Sequence, residues 1–152
     1  MASFNKFNQF VQDLGRAVLN LNSDNLYDTL TNTSPNAADT KYNSTTSPPQ
    51  IQSTSNANEI AAGNGFSAGG GQAASNAYSQ TSGTATLSCN NVVFTASGGT
   101  IGPFRYVTMY DASSGTTSTR SLIGWWDYGS SITLNSGETF TINHSANVLT
   151  IA

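Results

Sequence analysis

The sequence predicts a mainly β fold: an antiparallel β-sandwich of jelly-roll type, with a short N-terminal amphipathic helix and a long polar loop. Short runs rich in Val, Ile, Thr, Tyr and Phe dominate from residue 72 onward, separated by Gly, Asn and Ser turn signals at spacings of about eight to twelve residues. No alternation of strand-like and helix-like segments calls for a parallel sheet. No repeat with a period of about 20–50 residues is present, so a solenoid or propeller is excluded. At 152 residues the chain is long enough for a single core.

In chain order, Phe4, Phe7, Phe10, Val11, Leu14, Val18 and Leu21 recur at helical steps and form one apolar stripe. This predicts a helix over 4–14, with Ser3 placed as an N-cap and Gly15 as its stop. Residues 1–24 then read as a helical arm, and 25–152 as the sandwich body, which is expected to stay folded without residues 1–20. Residues 25–32 alternate and carry Tyr27, Thr29 and Thr31, so a strand is expected there. Residues 33–58 form the polar loop. The run Asn43-Ser44-Thr45-Thr46-Ser47-Pro48-Pro49 offers little to bury, and its prolines oppose a helix. The segment is expected to be a surface excursion, either an arm that a neighbouring molecule orders or a plainly disordered stretch. Residues 58–62 suit one helical turn closed by Gly63, and Gly69-Gly70-Gly71 is turn material. Strands are expected over 85–89, 92–94, 104–110, 122–128 and 148–151. A hairpin is expected where 132–134 and 139–142 flank Asn135-Ser136-Gly137-Glu138.

Composition excludes several functions. Charged residues are 9 % of the chain, against about 25 % in an average domain. Ser, Thr, Asn and Gly together supply roughly half of it, so hydroxyls and amides carry its polarity. The cations Lys6, Arg16, Lys41, Arg105 and Arg120 are too few and too scattered to follow a phosphate backbone, so no nucleic-acid partner is expected. Neither an electrostatic membrane anchor nor a spanning segment is expected. The first residues lack the apolar run of a secretory signal, which points to synthesis in the cytoplasm. One cysteine, Cys89, and one histidine, His144, rule out a disulfide within the chain, a thiolate zinc cluster and a two-His metal site.

No catalytic, cofactor-binding or metal-binding residue is predicted. Asp111 and Asp127 flank strands, where acids most often form turns. A small hydrolase using His144 with Asp111 or Asp127 is the weaker alternative, and no G-x-S-x-G nucleophile elbow supports it. His144 reads as a surface or turn residue near the C-terminus. Cys89 reads as a small apolar group in a strand. The triple glycine lacks the Lys-Ser/Thr that a phosphate loop requires.

Aromatic residues carry the remaining signal. In Trp125-Trp126-Asp127-Tyr128 the two indoles point to opposite faces of one strand. One fills the core; the other faces a loop, a partner or, as a sharper possibility, a sugar ring. Phe4, Phe7 and Phe10 either pack on the sandwich or insert into another subunit. Phe4, Phe7, Phe10, Trp125 and Trp126 are therefore the candidate interface residues.

Several stretches carry a resemblance: Ser3-Phe4-Asn5-Lys6-Phe7 with Phe10-Val11-Gln12-Asp13-Leu14, Leu30-Thr31-Asn32-Thr33-Ser34-Pro35, Glu59-Ile60-Ala61-Ala62-Gly63-Asn64-Gly65-Phe66, Val93-Phe94-Thr95-Ala96-Ser97-Gly98-Gly99-Thr100-Ile101-Gly102-Pro103-Phe104-Arg105-Tyr106 and, most specifically, Leu122-Ile123-Gly124-Trp125-Trp126-Asp127-Tyr128-Gly129-Ser130-Ser131-Ile132. Together they resemble a family of small virion proteins of tailed bacteriophages; the polar stretch from about 36 to 56 lies outside the likeness. The resemblance implies a structural, non-enzymatic part of the phage particle without a cofactor. A capsid decoration, or cement, protein on the head surface is expected, with the major capsid protein and further copies of itself, as a homo-oligomer or clustered on symmetry axes, as partners. The alternative is a tail, baseplate or receptor-binding component that uses exposed aromatics.

Overall fold

A computed structural model describes residues 2–52, 54–144 and 147–152. Its elements in chain order are β1 (Phe4–Lys6), α1 (Asn8–Gly15), β2 (Leu26–Thr31), β3 (Lys41–Asn43), β4 (Gln50–Gln52), β5 (Ala57–Asn58), β6 (Gly71–Gln72), β7 (Ala77–Thr81), β8 (Thr84–Ser88), β9 (Val92–Thr95), β10 (Ile101–Asp111), β11 (Arg120–Leu134), β12 (Thr139–Ile142) and β13 (Leu149–Ile151). The fold is mainly β, its strand pairs are antiparallel, and its helix is short.

The long strands β10 and β11 pair from Ile101 opposite Leu134 to Tyr110 opposite Leu122. β2 lies on the other edge of β10, with Tyr106 opposite Thr31 and Asp111 opposite Leu26, and β6 follows it. The second edge of β11 is taken by β1 along 124–126 and by β3 at 120–121, and β4 and β5 continue from β3. Together these make an eight-stranded sheet. A two-stranded sheet (β9, β12) and a three-stranded sheet (β7, β8, β13) complete the fold.

The large sheet is apolar on both faces. Leu26, Leu30, Met109 and Ile123 share the main core with Leu87, Phe94, Ile142 and Leu149 of the smaller sheets. On the opposite face Phe7, Tyr42, Ile51, Ala57, Tyr110 and Leu122 form a second core, in which the Tyr42 and Tyr110 rings stack at 4.0 Å. A β-bulge joins the two: Met109 faces Gly124, but Tyr110 faces Leu122, so Ile123 is the extra residue.

The N-terminus differs from the helix expected over 4–14. Residues 4–6 are extended and α1 starts at Asn8; Ser3 does not cap it, and Phe7 stands at the cap position without a side-chain cap bond. The free edge of β11 presents backbone groups that need partners, and β1 supplies them. Gly15 does close the helix. Side chains of the expected helical arm pack into both cores. Phe7 is 0 % exposed, and Phe10, Leu19 and Leu21 are buried in the main core.

The polar loop of 33–58 contains β3, β4 and β5, a small meander that buries Tyr42, Ile51 and Ala57. The buried Asp39 carboxylate ties it together by accepting from the backbone N–H groups of Asn36, Thr54 and Ser55 and from the Ser55 hydroxyl. The helical turn expected over 58–62 is absent: Glu59 bridges to Thr31, and the Ile60 N–H donates to the Leu30 carbonyl at 3.0 Å. The hairpin expected around Asn135-Ser136-Gly137-Glu138 is only half correct. The turn forms, with the Glu138 N–H donating to the Asn135 carbonyl at 2.9 Å. Its flanks do not pair with each other; the end of β11 pairs with β10, and β12 pairs with β9. The strands expected over 25–32, 85–89, 92–94, 104–110, 122–128 and 148–151 are present within a few residues as β2, β8, β9, β10, β11 and β13.

A side chain at Gly124 would collide with the Phe4 ring and come within 2.7 Å of the Asn5 carbonyl oxygen. Gly124→Ala should therefore push β1 off the sheet and cost about 1–3 kcal/mol. Urea denaturation followed by tryptophan fluorescence measures this, because Phe4 and Phe7 pack on Trp126 and Trp125.

Candidate functional site

Asp28 shares its pleat direction with Leu26 and Leu30 on β2, so the strand sends a carboxylate into the main core. It is fully buried. Its partner comes from the segment after β12. The His144 N–H donates to the Asn91 side-chain carbonyl at 2.9 Å, and His144 Nε2 lies 2.6 Å from Asp28 Oδ2. The imidazole is 2 % exposed, and the Trp126 ring lies 5.6 Å from it. His144 is thus a core residue, not the surface or turn residue its position suggested.

Burial pushes the Asp28 carboxyl above its ordinary range, and the hydrogen bond and charge of His144 oppose this. Asp28 Oδ1 is buried and has no hydrogen-bond partner among the described residues. Cys89, just beyond β8, packs in the same core. Burial and the Asp28 carboxylate push its thiol up to about 12, so it stays protonated and unreactive. The His144–Asp28 pair ties the C-terminal segment to the large sheet.

His144 meets neither acid considered for a hydrolase. Asp111 is buried at the end of β10, where it accepts from the Ser113 N–H at 2.7 Å. Burial, with the nearby Asp24 charge, raises it to about 6. Asp127 accepts from Arg105 Nε at 2.7 Å and Nη2 at 2.8 Å, and from the Gly129 N–H at 2.8 Å. The Arg105 guanidinium holds its carboxyl below the usual range.

That bidentate pair braces a second irregularity. Phe104 faces Ile132 and Tyr106 faces Asp127, so residues 128–131 bow out opposite Arg105. The bow holds Tyr128 at the surface, 55 % exposed, with its ring edge-on to Phe140 at 5.8 Å. Between the bow and β12 lies an open cleft of about 310 Å³ lined by Trp126, Tyr128, Phe140, Thr141, His144 and Asn147, among others.

A second polar knot closes the opposite face. The buried Glu59 carboxylate accepts from the hydroxyls of Thr29 and Tyr42 and from the Gly69 N–H at 3.0 Å, while the Tyr110 hydroxyl donates to the Gly69 carbonyl at 2.9 Å. Burial raises the Glu59 carboxyl, against these hydrogen bonds. The neighbouring Gly70, at φ +79°, passes so close to the Asp28 carbonyl that no side chain fits. The glycine run therefore serves close backbone approach.

The five candidate interface aromatics divide. Trp125 and Trp126 do point to opposite faces: Trp125 packs on the second core at 4.6 Å from Phe7, and Trp126 on the main core at 5.4 Å from Phe4. Phe7 and Phe10 are buried within their own chain and have no surface to offer a partner. Phe4, Trp125 and Trp126 are partly buried, and of these Trp126 reaches the cleft. Tyr128, Phe140 and the Asp28–His144 pair were missed. For Asp28 a signal existed, since an acid stood on the apolar parity of a strand. For the cleft none did, because β12, which supplies Phe140, is not hydrogen-bonded to β11, which supplies Trp126 and Tyr128.

Among the described residues no group of three or more His, Cys, Asp or Glu side chains is placed to hold a metal ion, and no helix is long and apolar enough to cross a membrane. Comparison with family models, characterised proteins and solved structures finds no match.

Removing one partner of a buried pair strands the other. His144→Ala should cost about 3–5 kcal/mol, and Asp28→Asn, which keeps a hydrogen-bonding group beside His144, distinctly less. Equilibrium denaturation of both variants and the double variant measures the coupling. Asp111 holds its proton more tightly when folded. Its contribution to stability is therefore full below pH 3.8 and is lost as the pH rises through about 6. Thermal melts at acid and neutral pH should show a larger loss across this window for the native chain than for Asp111→Asn.

Proposed function

We propose that this chain is a structural protein of a tailed-phage virion: a capsid decoration protein that binds the major capsid protein shell at the head surface and stabilises it. The observation that carries this reading is the use of the acids. All eight carboxyl groups are hydrogen-bonded within the chain: Asp13 accepts from Gln9, Asp24 from Asn20, Asp39 from its loop, Glu59 from Thr29, Asp111 from Ser113, Asp127 from Arg105 and Glu138 from Asn135, and Asp28 shares a hydrogen bond with His144. Groups that general acid–base chemistry would need are committed to holding turns and strands. The resemblance of the Leu122-Ile123-Gly124-Trp125-Trp126-Asp127-Tyr128 stretch and its companions to phage virion proteins supplies the biological setting, and no enzymatic activity is assigned.

In this reading the large sheet and the two smaller ones act as a jelly-roll-like sandwich seated on the shell. A formal charge of -3 keeps repulsion between crowded copies small. The hydroxyl- and amide-rich surface bonds to neighbours directly or through water. A protein that binds only the assembled shell stabilises it by mass action, and repeated contacts over one particle, including those between copies of the chain, multiply the effect. The alternative placement, in a tail, baseplate or receptor-binding part, draws on the exposed Tyr128 and its cleft.

Particles stripped of the protein should lose heat resistance and recover it on add-back, as read by genome release during a temperature ramp. Unchanged release after add-back, or the protein's absence from purified heads, overturns the head assignment.

A further inference from the structure

The geometry points to the cleft between the residue 128–131 bow and β12 as a binding site for a neutral saccharide, whether the chain sits on a head or a tail. Among the described residues that line it there is no Asp, Glu, Lys or Arg. His144, which also lines it, is 2 % exposed and already paired with Asp28, so among the described residues a charged ligand finds no unpaired counter-charge there. Its aromatic lining is Trp126, Tyr128 and Phe140, and its polar lining includes His144 and Asn147. Aromatic faces suit the C–H face of a pyranose ring, and hydroxyl and amide groups suit its equatorial hydroxyls. A volume of about 310 Å³ lies at the small end of the range of about 300–1,000 Å³ for small-molecule sites, room for a monosaccharide or disaccharide.

Tyr128 is the decisive residue. A ring that is 55 % exposed would ordinarily fold back onto the apolar surface beside it. Here the bow carries it outward, and the bow is held by the two-point Arg105–Asp127 pair and the Gly129 N–H bond to the same carboxylate. The platform is therefore set before a ligand arrives, which lowers the entropy cost of binding. Trp126 is held by ring contacts with Phe4 at 5.4 Å and His144 at 5.6 Å.

The test uses the full chain and two-dimensional NMR of its two indole N–H groups, with Trp126→Phe for assignment. Glucose, galactose, mannose, N-acetylglucosamine and their common disaccharides are titrated singly, beside glucuronate, glucosamine and short Pro- and Phe-containing peptides. The expected result is that at least one neutral sugar shifts the Trp126 indole and shows saturation transfer. Tyr128→Ala should weaken that binding by about tenfold, on the order of one stacking contact, with its melting temperature unchanged. Arg105→Ala, which frees the bow, should weaken it as well. No response to any neutral sugar, a response equally strong in Tyr128→Ala, or a response confined to charged sugars or to peptides overturns the proposal.

Discussion

The pairing of β10 with β11 is the constraint on which the remainder of the molecule depends. Both strands are long, and each side of the sheet they form must be covered by apolar side chains. One cover comes from the two smaller sheets. The other comes from Phe7 and the meander of β3 to β5. Because the central pair is committed on both faces and both edges, the N-terminal residues, the polar meander and β2 all have one place to go. The hydrogen-bonding edge of β11 is shared between β1 and β3, which ties the start of the chain to its middle.

Two departures from regular pairing within β11 give the molecule its particular surfaces. The bulge at Ile123 resets which side chains face which core, so that Leu122 and Trp125 join one while Ile123 and Trp126 join the other. The wider bow at 128–131 interrupts the pairing until it resumes at Ile132 opposite Phe104, and leaves Tyr128 standing beside Trp126 and Phe140. The first irregularity serves packing. The second exposes an aromatic ring and is held by the bidentate Arg105–Asp127 pair, a pattern associated with re-aimed functional side chains.

A chain with so few charges still places several of them inside. Asp28, Glu59 and Asp111 are buried on or against the large sheet, and each is hydrogen-bonded: Glu59 to Thr29, Tyr42 and Gly69, Asp111 to the Ser113 N–H and Asp28 to His144. Such groups add little net stability compared with apolar replacements, but they penalise any register that would leave them unpaired. In a sheet rich in Thr and Ser, where many registers bury similar area, that penalty helps select one arrangement. This economy accords with a protein proposed to act through contact with its neighbours.

The β class, strands over 25–32, 92–94, 104–110 and 122–128, the end of the helix at Gly15 and the opposed directions of Trp125 and Trp126 were all legible, because period-two alternation and turn residues are local properties of the text; that β10 and β11 run on to Ile101–Asp111 and Arg120–Leu134 was not. Partnership is not local. The phenylalanines at 4, 7 and 10 fit a helical stripe as well as a strand followed by a helix, and only the open edge of β11 selects the second. Tyr42, Ile51 and Ala57 are isolated apolar residues in polar text, and their burial follows from the pocket that Tyr110 and Leu122 provide across the sheet. Asn135-Ser136-Gly137-Glu138 specifies a turn and says nothing of which strands its flanks will join. His144 is a core residue because Asp28, 116 positions earlier, was already turned inward by the pleat of β2. The sequence by itself determined which segments extend and where they turn; the tertiary structure decided which edges meet, and hence which polar side chains are buried together and which aromatics remain outside.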